Sequence, residues 1–179
     1  HQHLSRRGGR RRGWGAKRLL LIFAVVMGQS VLAADEKDPA FRKLLEVVRH
    51  EYAHLLVLKL SAECPMWLNE GIAQYFEASY KRDAVYGRLK ESREARIPLK
   101  KMPARLGNID DVELARWVYL QGLGFVEFLA EKYRPFRLRL LLRAIAEEHS
   151  AAEAFERIYG RSTEDLEKEW WARVEKPGK

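Results

Sequence analysis

Two histidines and a glutamate occur within one five-residue run, His50-Glu51-Tyr52-Ala53-His54. Residues four apart on a helix stand one turn above each other, so both imidazoles can bind the same tetrahedral ion. Glu51 lies on the flank of that face, because successive helical residues are about 100° apart. Its carboxylate can therefore reach a water on the ion without binding the ion itself. The spacing predicts a catalytic Zn²⁺ site with Glu51 as its general base.

The helix that must carry these residues is predicted over residues 41–60. Apolar side chains recur around nearly its whole circumference, at Leu44, Leu45, Val47, Val48, Leu55, Leu56, Val57 and Leu58. A helix that is apolar all round is typical of a buried central position. Unpaired charges are costly to bury there, which favours a functional reading of the three polar residues. The alternative is that the histidines are ordinary core residues and that Glu51 reaches the surface.

A catalytic zinc site has three protein ligands and a water, so a third ligand is expected near this helix. Pro65 opens a second helix, which is predicted to run to about residue 80. Its segment 67–77 contains two carboxylates, Glu70 and Glu77, as candidates for the third ligand.

HEYAH followed shortly by PMWLNEGIAQYFE resembles the gluzincin peptidases, and among them the peptidase MA-like group. In that group a W-L-x-E-G-x-A segment on the next helix carries the ligand glutamate. The resemblance therefore implies Glu70 as the third ligand beside His50 and His54, since two further turns would carry Glu77 away from the ion. It also implies a zinc-dependent metalloendopeptidase that hydrolyses peptide or protein substrates through a water activated by Glu51.

The resemblance continues beyond these helices and covers nearly all of residues 41–175. Residues 119–129 resemble a later helix of the group, and residues 154–160 and 162–170 resemble its closing helix pair. Gluzincins often stabilise the oxyanion with a tyrosine or histidine from a later helix, which implies Tyr119 for this role. A core or interface tyrosine is the alternative, and His149, read first as a solvated helix end, is a weaker candidate.

Gln74 follows Glu70 by one turn and faces the same way. Related enzymes often have an acid at this place, so the resemblance implies Gln74 as a partner that orients a ligating imidazole. A neutral amide can accept the imidazole N–H but adds no charge, which predicts weaker metal binding than a carboxylate would give. The alternative is an ordinary surface glutamine.

Zincin peptidases usually place a β-sheet before the HExxH helix, and residues 35–40 leave no room for one. We therefore expect a mainly α fold, a zincin-like helical metallopeptidase domain that lacks the N-terminal sheet. This departure keeps a second hypothesis open, a non-catalytic zinc-binding or partner-binding domain of gluzincin shape. Glu51 argues against that hypothesis, because structural zinc does not require such a carboxylate.

The rest of the chain is also predicted to be helical. Residues 81–108 are charged and weakly periodic, with a turn at Gly107-Asn108, and only residues 96–99 could form a strand. A long helix is predicted from a cap at Asp110 or Asp111 through residue 131, and three more are predicted at 136–148, 151–159 and 162–174, with Gly160 as a stop. Cys64 is the single cysteine, which excludes an internal disulfide and favours a small buried side chain.

The net charge of +8 is concentrated at one end of the chain. Residues 1–34 hold seven Lys and Arg residues and no acid, while the remainder carries 26 basic and 25 acidic residues. Without residues 1–34 the chain is thus nearly neutral, which disfavours a nucleic-acid partner. Neither charge nor composition determines an oligomeric state.

Residues 1–34 have the three-part layout of a secretory signal peptide: a basic stretch, nine apolar residues from 19 to 27, and a small-residue exit that ends at Ala33-Ala34. Nine apolar residues are too few to span a bilayer as a helix. We predict cleavage after Ala33 or Ala34, export to the periplasm or the extracellular space, and no stable membrane insertion after cleavage. An uncleaved anchor is the alternative. Residues 35–179 then form one gluzincin-like domain.

Overall fold

The computed structural model describes residues 38–77, 80–91, 93–103 and 111–176. They form seven α-helices: α1 Pro39–Leu60, α2 Met66–Glu77, α3 Arg82–Glu91, α4 Val112–Tyr133, α5 Phe136–Glu148, α6 Ala151–Tyr159 and α7 Thr163–Val174. Two 3₁₀ helices, Arg93–Ala95 and Leu99–Lys101, lie between α3 and α4 in the sequence. None of the described residues forms a strand. The expectation of a mainly α fold without a sheet is therefore confirmed.

The chain divides into two compact units, His1–Lys43 and Leu44–Lys179. In the first unit the structure describes the start of α1, where Asp38 Oδ1 accepts the N–H of Ala40 at 2.9 Å, as a helix N-cap does. The proposed signal peptide, residues 1–34, lies outside the described residues. Every residue of the candidate site described below belongs to the second unit.

The core of the second unit is organised around α4, against which α2, α3, α5 and α7 pack. All ten residues from 121 to 130 are buried. Phe125 lies at the centre of an aromatic cluster, with ring centroids 5.8 Å from Trp67, 6.1 Å from Phe155 and 5.5 Å from Trp170. Because α2 packs directly on α4, the position of α2 is determined by the best-buried part of the molecule.

The prediction that α1 is the buried central helix is wrong. From Leu44 onward only Ala53 and Val57 are buried, whereas Val47, Leu55 and Leu58 are 46%, 50% and 60% exposed. The apolar pattern extends around the whole helix, but only one stripe of it packs against the core. No element of the described chain covers the opposite face of α1. The apolar residues on that face are therefore exposed, although the sequence pattern predicted that they would be buried.

Local sequence signals determine where most helices begin and end. Asp111 caps α4 and accepts the N–H groups of Glu113 at 2.9 Å and Leu114 at 3.2 Å. Gly160 ends α6 with a left-handed φ of 68°, which favours glycine. The helices predicted at 136–148 and 151–159 are confirmed, and α7 begins one residue later than predicted.

The charged, weakly periodic stretch 81–108 contains the helix α3. This helix is highly charged, and its buried residues are Val85 and Leu89, four apart and therefore on one face. Residues 96–98 have no regular structure, so the possible strand does not form. The predicted turn at Gly107-Asn108 lies outside the described residues. In the part of the chain that the structure covers, no helix has the length and apolarity needed to cross a membrane.

Glu127 is a carboxylate buried on α4. It accepts a hydrogen bond from Arg82 Nε on α3, and Arg82 also pairs with Glu131 at 3.3 Å. Burial raises the pKa of Glu127, while the hydrogen bond and charge of Arg82 act in the opposite direction. The pair ties α3 to the core helix.

Candidate metal centre

His50 and His54 project from the inner side of α1 towards α2. Because they stand one turn apart, their rings meet edge to face with centroids 4.7 Å apart. Their Nε2 atoms are 3.1 Å apart. Both side chains are about three-quarters buried, with 23% and 24% exposure.

Glu70 on α2 completes the cluster. Its carboxylate oxygens lie 3.9 Å from His50 Nε2 and 3.7 Å from His54 Nε2. All three ligand atoms fall within 4.8 Å of one another, and they form a group able to hold a metal ion. Tetrahedral Zn²⁺ with bonds of about 2.0–2.1 Å places neighbouring ligand atoms about 3.3 Å apart. The observed separations therefore need only small side-chain adjustments to meet that geometry.

The outer nitrogen of each imidazole is held by a residue of α2. His50 Nδ1 lies 3.1 Å from a carboxylate oxygen of Glu77, and His54 Nδ1 lies 2.9 Å from Oδ1 of Asn69. A carboxylate and an amide oxygen can only accept hydrogen bonds, so each Nδ1 carries the proton. This leaves the unshared electron pair of each ring on Nε2, on the side where Glu70 lies.

The electronic arrangement of these donors fits a cation. With the proton of each ring on Nδ1, the two Nε2 atoms present lone pairs to each other across 3.1 Å, which is repulsive unless a cation lies between them. The carboxylate of Glu70 adds negative charge at the same point. Burial raises the pKa of Glu70, protonated imidazoles at His54 and His50 would lower it, and the charge of Glu51 raises it. These observations support a divalent metal bound by two histidines and one glutamate.

A close helix crossing places Glu70. A Cβ built on Gly71 would lie 2.4 Å from the carbonyl oxygen of Gly122, and one on Gly122 would lie 2.4 Å from that of Trp67. Only glycines allow α2 and α4 to approach so closely. Glu70 immediately precedes this contact and Tyr119 lies one turn before Gly122, so the crossing brings both to the same end of the cluster.

Tyr119 and Gln74 lie beside Glu70. Burial raises the pKa of Tyr119, and the charge of Glu70 raises it further, so the phenol is protonated at neutral pH. The amide of Gln74 donates to the backbone carbonyls of Glu70 and Tyr119, both at 3.3 Å. In this position Gln74 links α2 to α4. The imidazole contacts expected of it are made by Asn69 and Glu77.

Glu51 is exposed on the flank of α1, next to the cluster and outside the ligand group. Its charge raises the pKa of Glu70. Glu77, the other candidate for the third ligand, contacts Nδ1 of His50. Glu70 instead lies on the Nε2 side of that ring.

His149 and Cys64 lie apart from this cluster. His149 pairs with Glu63 at 2.7 Å and is highly exposed at the end of α5, as a solvated helix end should be. Burial raises the pKa of Cys64 to about 12, and its thiol donates to the carbonyl of Pro65. Neither residue belongs to the group able to hold a metal.

Sequence reasoning missed Asn69 and the part played by Glu77. Both are on the helix that carries Glu70, one residue before it and seven after it. A spacing of seven returns to the same helical face, and this signal could have paired Glu77 with one of the histidines.

A family model described as Peptidase MA superfamily matches residues 41–176. The chain belongs to this superfamily. The match covers α2, α4 and nearly all of α1, so it includes every residue of the cluster, and the resemblance found in the sequence is confirmed. No curated protein and no solved structure gives a significant match. Superfamily membership supports a metallopeptidase-like domain.

Proposed function

We propose that this protein is a zinc-dependent metalloendopeptidase that cleaves peptide or protein substrates. The observation that carries the proposal is the convergence of His50, His54 and Glu70 within 4.8 Å, with Glu51 beside them. Two histidines and one carboxylate are a ligand set that catalytic zinc sites use.

Zn²⁺ bound by these three residues would lower the pKa of a coordinated water and polarise the carbonyl to be attacked. Glu51 accepts the proton of the attacking water and passes it to the leaving amine. Tyr119 donates its phenolic proton in a hydrogen bond to the carbonyl oxygen as that oxygen gains charge. Asn69 and Glu77 keep both rings in the tautomer that ligation requires.

Metal analysis combined with a general protease assay tests this function. The parent and the Glu51→Gln variant should each contain about one zinc per chain, because Glu51 is not a ligand. Only the parent should cleave a substrate such as casein. Glu153→Gln, at an exposed position on α6, is the matched control and should cleave like the parent. If neither the parent nor the variant contains zinc, the ligand assignment is wrong.

The role of Tyr119 has a test of its own. Tyr119→Phe removes one hydrogen-bond donor and should lower kcat roughly 100-fold or more, with a smaller change in KM. An unchanged kcat would assign Tyr119 to packing alone.

A non-catalytic zinc-binding or partner-binding domain is the second candidate. It is favoured by the absence of a strand in the described ranges, since zincin peptidases hold extended substrates by pairing with a sheet edge. Zinc in both proteins with cleavage by neither would select it.

We also propose that the protein is exported and that residues 1–34 are removed. The basic stretch, the apolar run and the small-residue exit support this proposal. The mature chain recovered after secretion should begin at residue 34 or 35 by N-terminal sequencing. Full-length chain retained in membranes would indicate an uncleaved anchor.

A further inference from the structure

An open cavity of about 530 Å³ lies between α2, α3 and α4. Gln74 from α2, Arg88 from α3, and Arg116, Trp117 and Tyr119 from α4 line it. Its volume falls in the range of cavities that hold small ligands, about 300–1,000 Å³.

Two residues that line the cavity, Tyr119 and Gln74, also lie beside the candidate ligand Glu70. Tyr119 is close enough to Glu70 to feel its charge, and Gln74 donates to the carbonyls of both residues. A peptide held at the metal could therefore extend from the cluster past Tyr119 into the cavity. This continuity makes the cavity a place for the substrate residues on one side of the bond to be cleaved.

The charges in the cavity favour an anion. Two guanidinium groups, on Arg88 and Arg116, face one carboxylate, Glu113. In the part of the chain that the structure describes, the Arg88 side chain has no ion-pair partner. Arg116 pairs with Glu113 at 2.5 Å, but both side chains are 67% exposed, and such pairs contribute little stability. Both guanidinium groups can therefore engage a ligand, and Trp117 supplies an apolar wall.

We propose that this cavity is a substrate subsite in which Arg88 and Arg116 bind a carboxylate of the peptide. The carboxylate can come from an acidic side chain or from the C-terminus of the peptide. Guanidinium groups suit it because they can form two parallel, charge-assisted hydrogen bonds. The inference rests on the proposed peptidase function, since it names the class of peptide that the site prefers.

Three matched fluorogenic peptides separate the two sources. The first has a neutral sequence and an amidated C-terminus, the second replaces one glutamine near the cleaved bond by glutamate, and the third has a free C-terminal carboxylate. The zinc-loaded parent should cleave the second or the third with a kcat/KM roughly 10- to 100-fold above that of the first. Arg88→Gln/Arg116→Gln should abolish this preference. Arg139→Gln/Arg143→Gln, at exposed positions on α5, is the matched control and should keep it.

Binding to zinc-loaded Glu51→Gln distinguishes failure of the subsite from failure of the peptidase proposal. If no peptide is cleaved but carboxylate peptides still bind about 10-fold more tightly than the neutral one, and the two arginines are required, the subsite stands without proteolysis. Cleavage without a carboxylate preference overturns the subsite and leaves the peptidase intact. A preference that survives in the arginine variant also overturns it, because the carboxylate would then bind elsewhere, for example at the metal.

Discussion

The close approach of α2 and α4 at Gly71 gives a sharp test of how Glu70 is placed. In Gly71→Ala the new Cβ would lie 2.4 Å from the carbonyl oxygen of Gly122, 2.6 Å from its carbon and 2.9 Å from a methyl group of Val126. Two of these three atoms are backbone, so no side-chain rotation can relieve the contact. The helices themselves must separate.

Two opposing effects determine the size of the change. Ordinary contact begins at 3.4 Å, so the helices must separate by roughly 1 Å, and overpacking of a tight core costs about 1–3 kcal/mol. Alanine gains up to about 1 kcal/mol over glycine in a helix. Because the obstacle is backbone, we expect the upper part of that cost and a net loss of about 1–2 kcal/mol. For a chain of this size the loss lowers Tm by roughly 2–8 °C.

Thermal unfolding and zinc titration measure the two consequences. Gly71→Ala should unfold at a lower temperature and bind zinc more weakly than the parent, because Glu70 moves with its helix. Gly87→Ala on α3 is the matched control: its Cβ meets nothing within 4 Å, so it should gain up to about 1 kcal/mol and keep the parent's zinc affinity. If Gly71→Ala matches the parent in both measurements, the crossing does not position the ligand.

Three further perturbations test separate contacts. Asn69→Ala removes the acceptor of the His54 Nδ1 proton and should weaken zinc binding about 10- to 100-fold in competition with a chelating dye; an unchanged affinity would show that Asn69 does not orient the ring. Leu58→Gln, at an exposed position, should change the free energy of unfolding in urea by less than about 0.5 kcal/mol, whereas Val57→Gln, at a position 2% exposed, should lose about 2–4 kcal/mol. Equal losses would contradict the one-sided packing of α1. Burial raises the pKa of Glu127 above its ordinary 4.5, so the folded state holds this proton more tightly than the unfolded chain does. The parent should therefore lose stability relative to Glu127→Gln as pH rises from 4.5 through the raised pKa, and a pH-independent difference would refute this.

The helix boundaries were largely predictable because local groups determine them. Asp111 caps α4 through its own side chain, and Gly160 ends α6 through its own left-handed conformation. Such signals act within a few residues of the chain and need no knowledge of the fold. The helix α3 escaped prediction because only Val85 and Leu89 of its ten residues are buried.

The burial of α1 could not be predicted from its sequence. A helix that is apolar on every side can be central, or it can pack along a single stripe. The sequence pattern is the same in both cases, because it does not show whether another element covers each face. In contrast, the consecutive apolar residues of α4 are buried, because four other helices surround that segment.

The ligand residues and their supporting contacts differ in how visible they are in a sequence. His50 and His54 can be recognised because one helix sets their spacing, and Glu70 because its segment resembles a known pattern. The contacts of Asn69 and Glu77 depend on the angle at which α1 crosses α2, and only the fold determines that angle. The sequence shows that both residues can accept hydrogen bonds, but it does not show which imidazole nitrogen each of them would contact.

The uneven anchoring of the two ligand-bearing helices has a mechanical consequence. Glu70 is on a helix pressed against the core, whereas both histidines are on a helix that packs along one stripe and leaves much of its apolar surface exposed. A metal bound by all three would act as a crosslink between a fixed element and a loosely held one. Loss of the ion and detachment of residues 44–60 from the core would then be thermodynamically linked. Chelation should accordingly speed amide hydrogen exchange in α1 far more than in α4.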